Sequence, residues 1–167
     1  MRDAKNNWHA SSEQIALKQI KKQAEQFWAA SKYDVMARGY ASYKQISARY
    51  RDASTAADYE AAMHSISHTL DALPYTMKGL RTSIEHMWGY VSKYVHEEER
   101  TMFQQLFDSL EWKPDANDLD TFEATTPLLL LIQEFAVKYD VTYIEKTMAN
   151  SFPRLAESCQ LNQIQDH

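Results

Sequence analysis

The stretch Ser83-Ile84-Glu85-His86-Met87-Trp88-Gly89-Tyr90-Val91-Ser92-Lys93 reads as helix, although it holds one of only three glycines in a chain of 167 residues. Helical spacing places His86, Tyr90 and Lys93 on one face, at i, i+4 and i+7. A glycine inside a helix costs about 1 kcal/mol relative to alanine, so Gly89 predicts close approach of another backbone at that point. Three polar groups beside such a contact make this face a candidate site, with Glu99-Arg100 following shortly after.

Average usage would put about twelve glycines in a chain of this length. Three glycines and four prolines leave little turn chemistry for many short strands. The expected fold class is therefore all-α, a compact single-domain bundle of about six helices. The length suits one domain with a buried core. The boundaries read as a flexible tail at 1–11, a helical domain at 12–155 and a second tail at 156–167.

Ser11 with Gln14 resembles a capping box opening the first helix, whose apolar stripe is Leu17, Ile20, Ala24, Phe27, Ser31 and Val35; Gly39 is its expected C-cap. Tyr40, Tyr43, Ile46 and Tyr50 mark the second helix. Thr55 with Asp58 caps the third, with stripe Tyr59, Met63, Ile66, Leu70 and Leu73, and Pro74 ends it. The fourth is expected from about Thr76 to Val95, and the fifth from Glu97 to Leu110, its three leading glutamates suiting the positive end of the helix dipole. A polar loop is expected over 111–125. Thr126-Pro127 then reads as an N-cap with proline at N1, opening a last helix to about Met148 that begins apolar all round.

The single cysteine excludes an internal disulfide, and with it any zinc or iron–sulfur site built from this chain's own thiolates. That residue, Cys159, has no base partner in the pattern and reads as an incidental thiol. No apolar signal core opens the chain, and the longest clean apolar run, Pro127 to Ile132, is too short to span a bilayer. The expectation is a cytoplasmic protein with no membrane partner, no metal and no cofactor. Glu60, His64, His68 and Asp71 form a helical stripe, but no HExxH or ExxH pair accompanies it, so it reads as a solvated face. The acidic run 115–123 lacks the central glycine of a calcium loop and is rejected as one.

Charge is unevenly distributed within a net of −5. Residues 1–51 hold ten Lys/Arg against four Asp/Glu, a balance of +6, while the remainder balances to −11. The basic segment interleaves Trp28, Lys32, Arg38, Tyr40 and Tyr43, a pattern suited to stacking bases and neutralising phosphates. Tyr43 and Tyr50 read instead as boundary residues of a helical core. Lys21, Trp28 and Lys32 share a stripe that admits either reading.

Together these residues resemble the YbgA-like family, a bacterial helical domain of unknown function. The resemblance runs from about Trp28 to Arg154. It rests on Trp28-Ala-Ala-Ser-Lys32 with Ala37-Arg38, on Tyr43, on His86-Met-Trp-Gly89-Tyr90 as a His-x-x-Gly-Tyr signature, on Glu99-Arg100, and on Pro127, Tyr143 and Pro153-Arg154. Thr82 and Thr147 depart from the asparagine and glutamine of that pattern. The resemblance implies a domain that occurs alone or C-terminal to a cysteine-rich desulfidase acting on thiolated uracil or thiouridine. With one cysteine, this chain holds no such cluster.

The expected function is thus a non-catalytic accessory domain that binds RNA, tRNA in particular, or supports a separately encoded thionucleoside-processing enzyme. The expected ligand or nucleic-acid residues are Trp28, Lys32, Arg38, His86, Tyr90, Lys93 and Arg100. Two alternatives stand beside this: a small-ligand enzyme with His86 as acid–base, the one weak catalytic candidate, and a protein-interaction module using the acidic face.

Overall fold

The structure, a computed structural model, describes residues 5–113, 118–152 and 155. The expected tail at 156–167 lies outside the described residues, as do Cys159, Pro153-Arg154 and the centre of the acidic loop at 114–117. Seven α-helices and no strand are present among the described residues, one helix more than expected. They are α1 Lys5–Arg38, α2 Tyr40–Asp52, α3 Ala56–Ala72, α4 Met77–Val91, α5 Glu97–Ser109, α6 Asp118–Lys138 and α7 Thr142–Asn150.

Several boundaries follow local chemistry. Thr55 accepts a hydrogen bond from the Asp58 N–H at 3.2 Å, and Asp58 accepts one from the Thr55 N–H at 3.0 Å, closing the capping box of α3. Thr76 caps α4 by accepting from the Gly79 N–H at 3.0 Å. At the head of α5, Glu99 reaches back to the His96 N–H at 3.0 Å.

Other boundaries correct the sequence reading. α1 begins at Lys5, so Ser11 lies inside it rather than capping it; no proline or glycine in 5–10 stops the helix from propagating back from its packed part. Gly39, between α1 and α2, has extended backbone (φ 170°) rather than a left-handed cap. α4 stops at Val91, where a tight turn (Tyr94 N–H to Val91 C=O, 3.0 Å) returns the buried Val95 to the core.

The helix expected from Pro127 begins earlier and ends sooner. α6 starts at Asp118, and Pro127 lies inside it. Proline removes a backbone donor from the helix interior. In the turn before it, Thr125 and Thr126 donate to the Phe122 carbonyl, each at 3.0 Å. Phe122 anchors the early turns by packing against Tyr75 (5.0 Å between ring centroids) and Phe152 (6.4 Å). At the other end, Asp140 adopts φ 53°, the Val141 N–H donates to Ala136 at 2.8 Å and the Asp140 N–H to Val137 at 3.3 Å. This is a Schellman motif formed without glycine, and it separates α6 from α7.

α1 packs against α2, α3, α4 and α7; α4 rests on α6, which also meets α5 and α7. The main core joins Leu80, Ile84 and Met87 of α4 to Leu128, Leu129 and Ile132 of α6, with Phe103, Ile144 and Met148 around them. Each fully buried aliphatic side chain contributes about 1.5–3 kcal/mol. A smaller cluster, Val35, Ile46 and Ile66, ties α1 to α2 and α3. Leu73, expected in the α3 stripe, is exposed.

The close approach expected at Gly89 is found at Gly79 instead. A Cβ built on Gly79 would lie 2.6 Å from the Ala37 carbonyl carbon, and nearer still to its oxygen, whereas one on Gly89 meets nothing within 4 Å. The neighbouring Thr76 N–H donates to that same Ala37 carbonyl at 3.1 Å, which draws the start of α4 onto the end of α1.

Candidate functional site

α4 buries Leu80, Ser83, Ile84, Met87 and Val91 and leaves Glu85, His86, Gly89 and Tyr90 exposed. His86 and Tyr90 therefore share a face, one turn apart. Lys93 does not extend that face as the i+7 spacing predicts, because the helix ends two residues before it; its ammonium lies over the Tyr94 ring at 6.0 Å. Gly89 sits between His86 and Tyr90 as exposed bare backbone.

Tyr90 leads into a cluster of tyrosines contributed by three helices. Its ring lies 5.0 Å from that of Tyr143 on α7, which in turn lies 6.5 Å from Tyr33 on α1. Lys32 places its ammonium 5.0 Å from the Tyr143 ring centre and 5.2 Å from that of Tyr33, a cation–π arrangement. The Ser83 hydroxyl, donating to the Tyr33 carbonyl at 2.8 Å, fixes α1 against α4 beneath the cluster. Burial pushes the Tyr33 hydroxyl above the ordinary tyrosine range, and the neighbouring Tyr143 and Tyr90 add to the effect, so Tyr33 stays protonated. Among the described residues, no group meets the buried Tyr143 hydroxyl at strict hydrogen-bonding geometry.

On the other side of Lys32, one turn back along α1, Trp28 belongs to a run of stacked rings. Tyr40 stacks on Tyr43 (5.5 Å, 20°), Tyr43 on Trp28 (5.6 Å, 25°) and Trp28 on Tyr50 (5.6 Å, 15°). The Tyr50 hydroxyl donates to the Ala24 carbonyl at 2.8 Å and anchors the inner end. The outer end, Tyr40, is exposed, with the Lys44 ammonium 5.5 Å from its ring centre.

Arg38 and Arg100 stand apart from this surface. The Arg38 guanidinium pairs with Asp34 at 3.2 Å, donates to the Leu73 carbonyl and lies 4.1 Å from the Tyr75 ring centre. Asp34, only 4 % exposed, also accepts from the Phe152 N–H at 3.3 Å. Arg100 donates to the Ser92 carbonyl at 2.7 Å and pairs with Glu97 at 3.5 Å. Its neighbour Glu99 is bonded to Lys138 (2.8 Å) and Tyr139, which hold its carboxyl well below the usual range, at about 2. Both basic–acidic motifs thus serve as clasps between chain segments.

The structure therefore gathers Lys32 and Tyr90 around Tyr143, leaves His86 one turn from Tyr90 on the same exposed face, keeps Trp28 one turn from Lys32, and gives Arg38, Lys93 and Arg100 other partners. A family model described as "Protein of unknown function (DUF1722)" matches residues 32–153. The chain belongs to this family. No curated protein and no solved structure matches it. The DUF1722 segment begins at Lys32 and takes in the whole tyrosine cluster, while Trp28 falls just before it. Sequence reasoning did not single out Tyr33 or Tyr143 as site residues. For Tyr33 the signal was its place beside Lys32; Tyr143 was marked only by the family resemblance, since its ring partners are more than fifty residues away.

Proposed function

We propose that this DUF1722 domain is a non-catalytic, YbgA-like accessory module that engages structured RNA, tRNA foremost, in support of a separately encoded enzyme that processes thionucleosides. The carrying observation is the meeting of Lys32, Tyr143 and Tyr90 on one face beside the bare backbone of Gly89. An exposed helical glycine with no neighbour costs stability without serving the chain's own packing. Backbone open to close approach, an exposed aromatic ring and a lysine for phosphate together suit a nucleic-acid ligand. The exposed Tyr40 end of the ring stack, with Lys44 over it, extends the same chemistry.

tRNA affinity, measured by fluorescence anisotropy between about 50 and about 200 mM salt, tests this reading. Binding should weaken steeply with salt as counterions are released. No detectable binding at the lowest salt rejects it. Catalysis at His86 is less favoured, because among the described residues no hydrogen bond orients its imidazole. Loss of a thionucleoside-processing activity in His86→Ala, with the fold intact, would reverse that preference.

A further inference from the structure

All four residues of the Glu60–His64–His68–Asp71 stripe are exposed, as expected of a solvated face. His64 and His68 line a groove of about 360 Å³ between α2 and α3, across from Arg49, with Ser42 and Ser65 on its walls and Ile46 beneath. Among the described residues Arg49 has no ion pair. The two acids that line the adjoining groove with Arg49 have other partners: Asp52 pairs with Arg51 at 3.1 Å, and Asp58 accepts from the Ser54 and Thr55 N–H groups, each at 3.0 Å. Glu60 and Asp71 belong to the same exposed stripe but do not line the groove.

Two histidines at i and i+4 suggest a metal, yet no set of three or more His, Cys, Asp or Glu among the described residues is placed to hold one. The third group facing the histidines is a guanidinium, which repels a metal cation. The same arrangement suits an anion. Arg49 offers a fixed fork of donors matched to phosphate oxygens, the serine hydroxyls add neutral donors, and the imidazoles add N–H donors. We infer that the α2–α3 groove is a phosphate site, with Arg49 as its permanent charge and His64 and His68 as further N–H donors. No carboxylate lines this groove, so nothing in its lining opposes an anion.

The phosphate has two possible sources, a small phosphorylated compound or the backbone of RNA. Imidazole resonances of the full chain, followed by NMR during titration with inorganic pyrophosphate, test the site. His64 and His68 should shift more than the exposed His86 and His96. Arg49→Ala should weaken pyrophosphate about tenfold. A short RNA hairpin forms the second arm: competition between hairpin and pyrophosphate assigns the phosphate to RNA, and a response to pyrophosphate alone assigns it to a small compound. Equal shifts at all four histidines, no shift with either probe, or no effect of Arg49→Ala would overturn the proposal. Lys32→Ala should leave the pyrophosphate response intact, so failure of the RNA-binding face and failure of this groove are separable.

Discussion

Gly79 and Ala37 touch through their backbones, which brings the start of α4 against the end of α1 with no room for a side chain between them. The two helical glycines of α4 thus have opposite meanings. Alanine at Gly79 must displace backbone or the Thr76 cap and should cost about 1–3 kcal/mol or more as an overpacked contact. Alanine at Gly89 meets open space and should stabilise the protein by about 0.5–1 kcal/mol through helix propensity. Urea denaturation of the two variants measures both. If Gly89 is kept for a ligand, Gly89→Ala should also bind tRNA several-fold more weakly while being the more stable protein.

Removing Asp34 should be among the most damaging single changes. Its carboxylate bonds the half-buried Arg38 and the buried Phe152 N–H, so Asp34→Ala leaves a guanidinium without its counter-charge at a crowded junction. The expected loss is about 3–5 kcal/mol, read from the denaturation midpoint. Arg38→Ala should destabilise as well, but leave the salt dependence of any RNA binding unchanged.

Glu99 makes the protein acid-sensitive. Its bonds to Lys138 and Tyr139 lower its folded-state pKa from 4.5 to about 2. A depressed carboxylate pKa means that the unfolded chain takes up the proton first. The stabilisation is therefore complete above about pH 5 and is lost as pH falls through 4.5 towards 2. Glu99→Gln should flatten the fall in denaturation midpoint over that window. An unchanged slope would show that other carboxylates dominate.

Asp140 holds a left-handed conformation that costs most L-residues about 1 kcal/mol. No side-chain hydrogen bond of Asp140 is present among the described residues. Asp140→Gly should therefore keep the Schellman turn and raise the thermal midpoint by a few degrees. A lower midpoint would mean that the carboxylate supports the turn.

Lys32→Ala should weaken tRNA binding and reduce the slope of log affinity against log salt by about 1, the signature of one lost phosphate contact. Tyr90→Ala should weaken binding with the slope nearly unchanged, since stacking releases no counterions. Anisotropy titrations at several salt concentrations separate the two effects.

What the sequence determined by itself was whatever depends on neighbours within a turn or two. The helical class followed from scarce glycine and proline, and the cap at Thr55 and the acidic head of α5 followed from side chains bonding to backbone three residues away. His86 and Tyr90 share a face for the same local reason. The tertiary structure decided everything that needed two distant segments. It placed the close contact at Gly79 rather than Gly89, because only the fold brings Ala37 there. It let α6 begin before Pro127, because Phe122 found Tyr75 and Phe152. It drew Arg38 into a part-buried pair with Asp34 and brought Tyr143 under Lys32 and beside Tyr90. Helix propensity and capping act over a few residues of chain, whereas burial and ion pairing act through space.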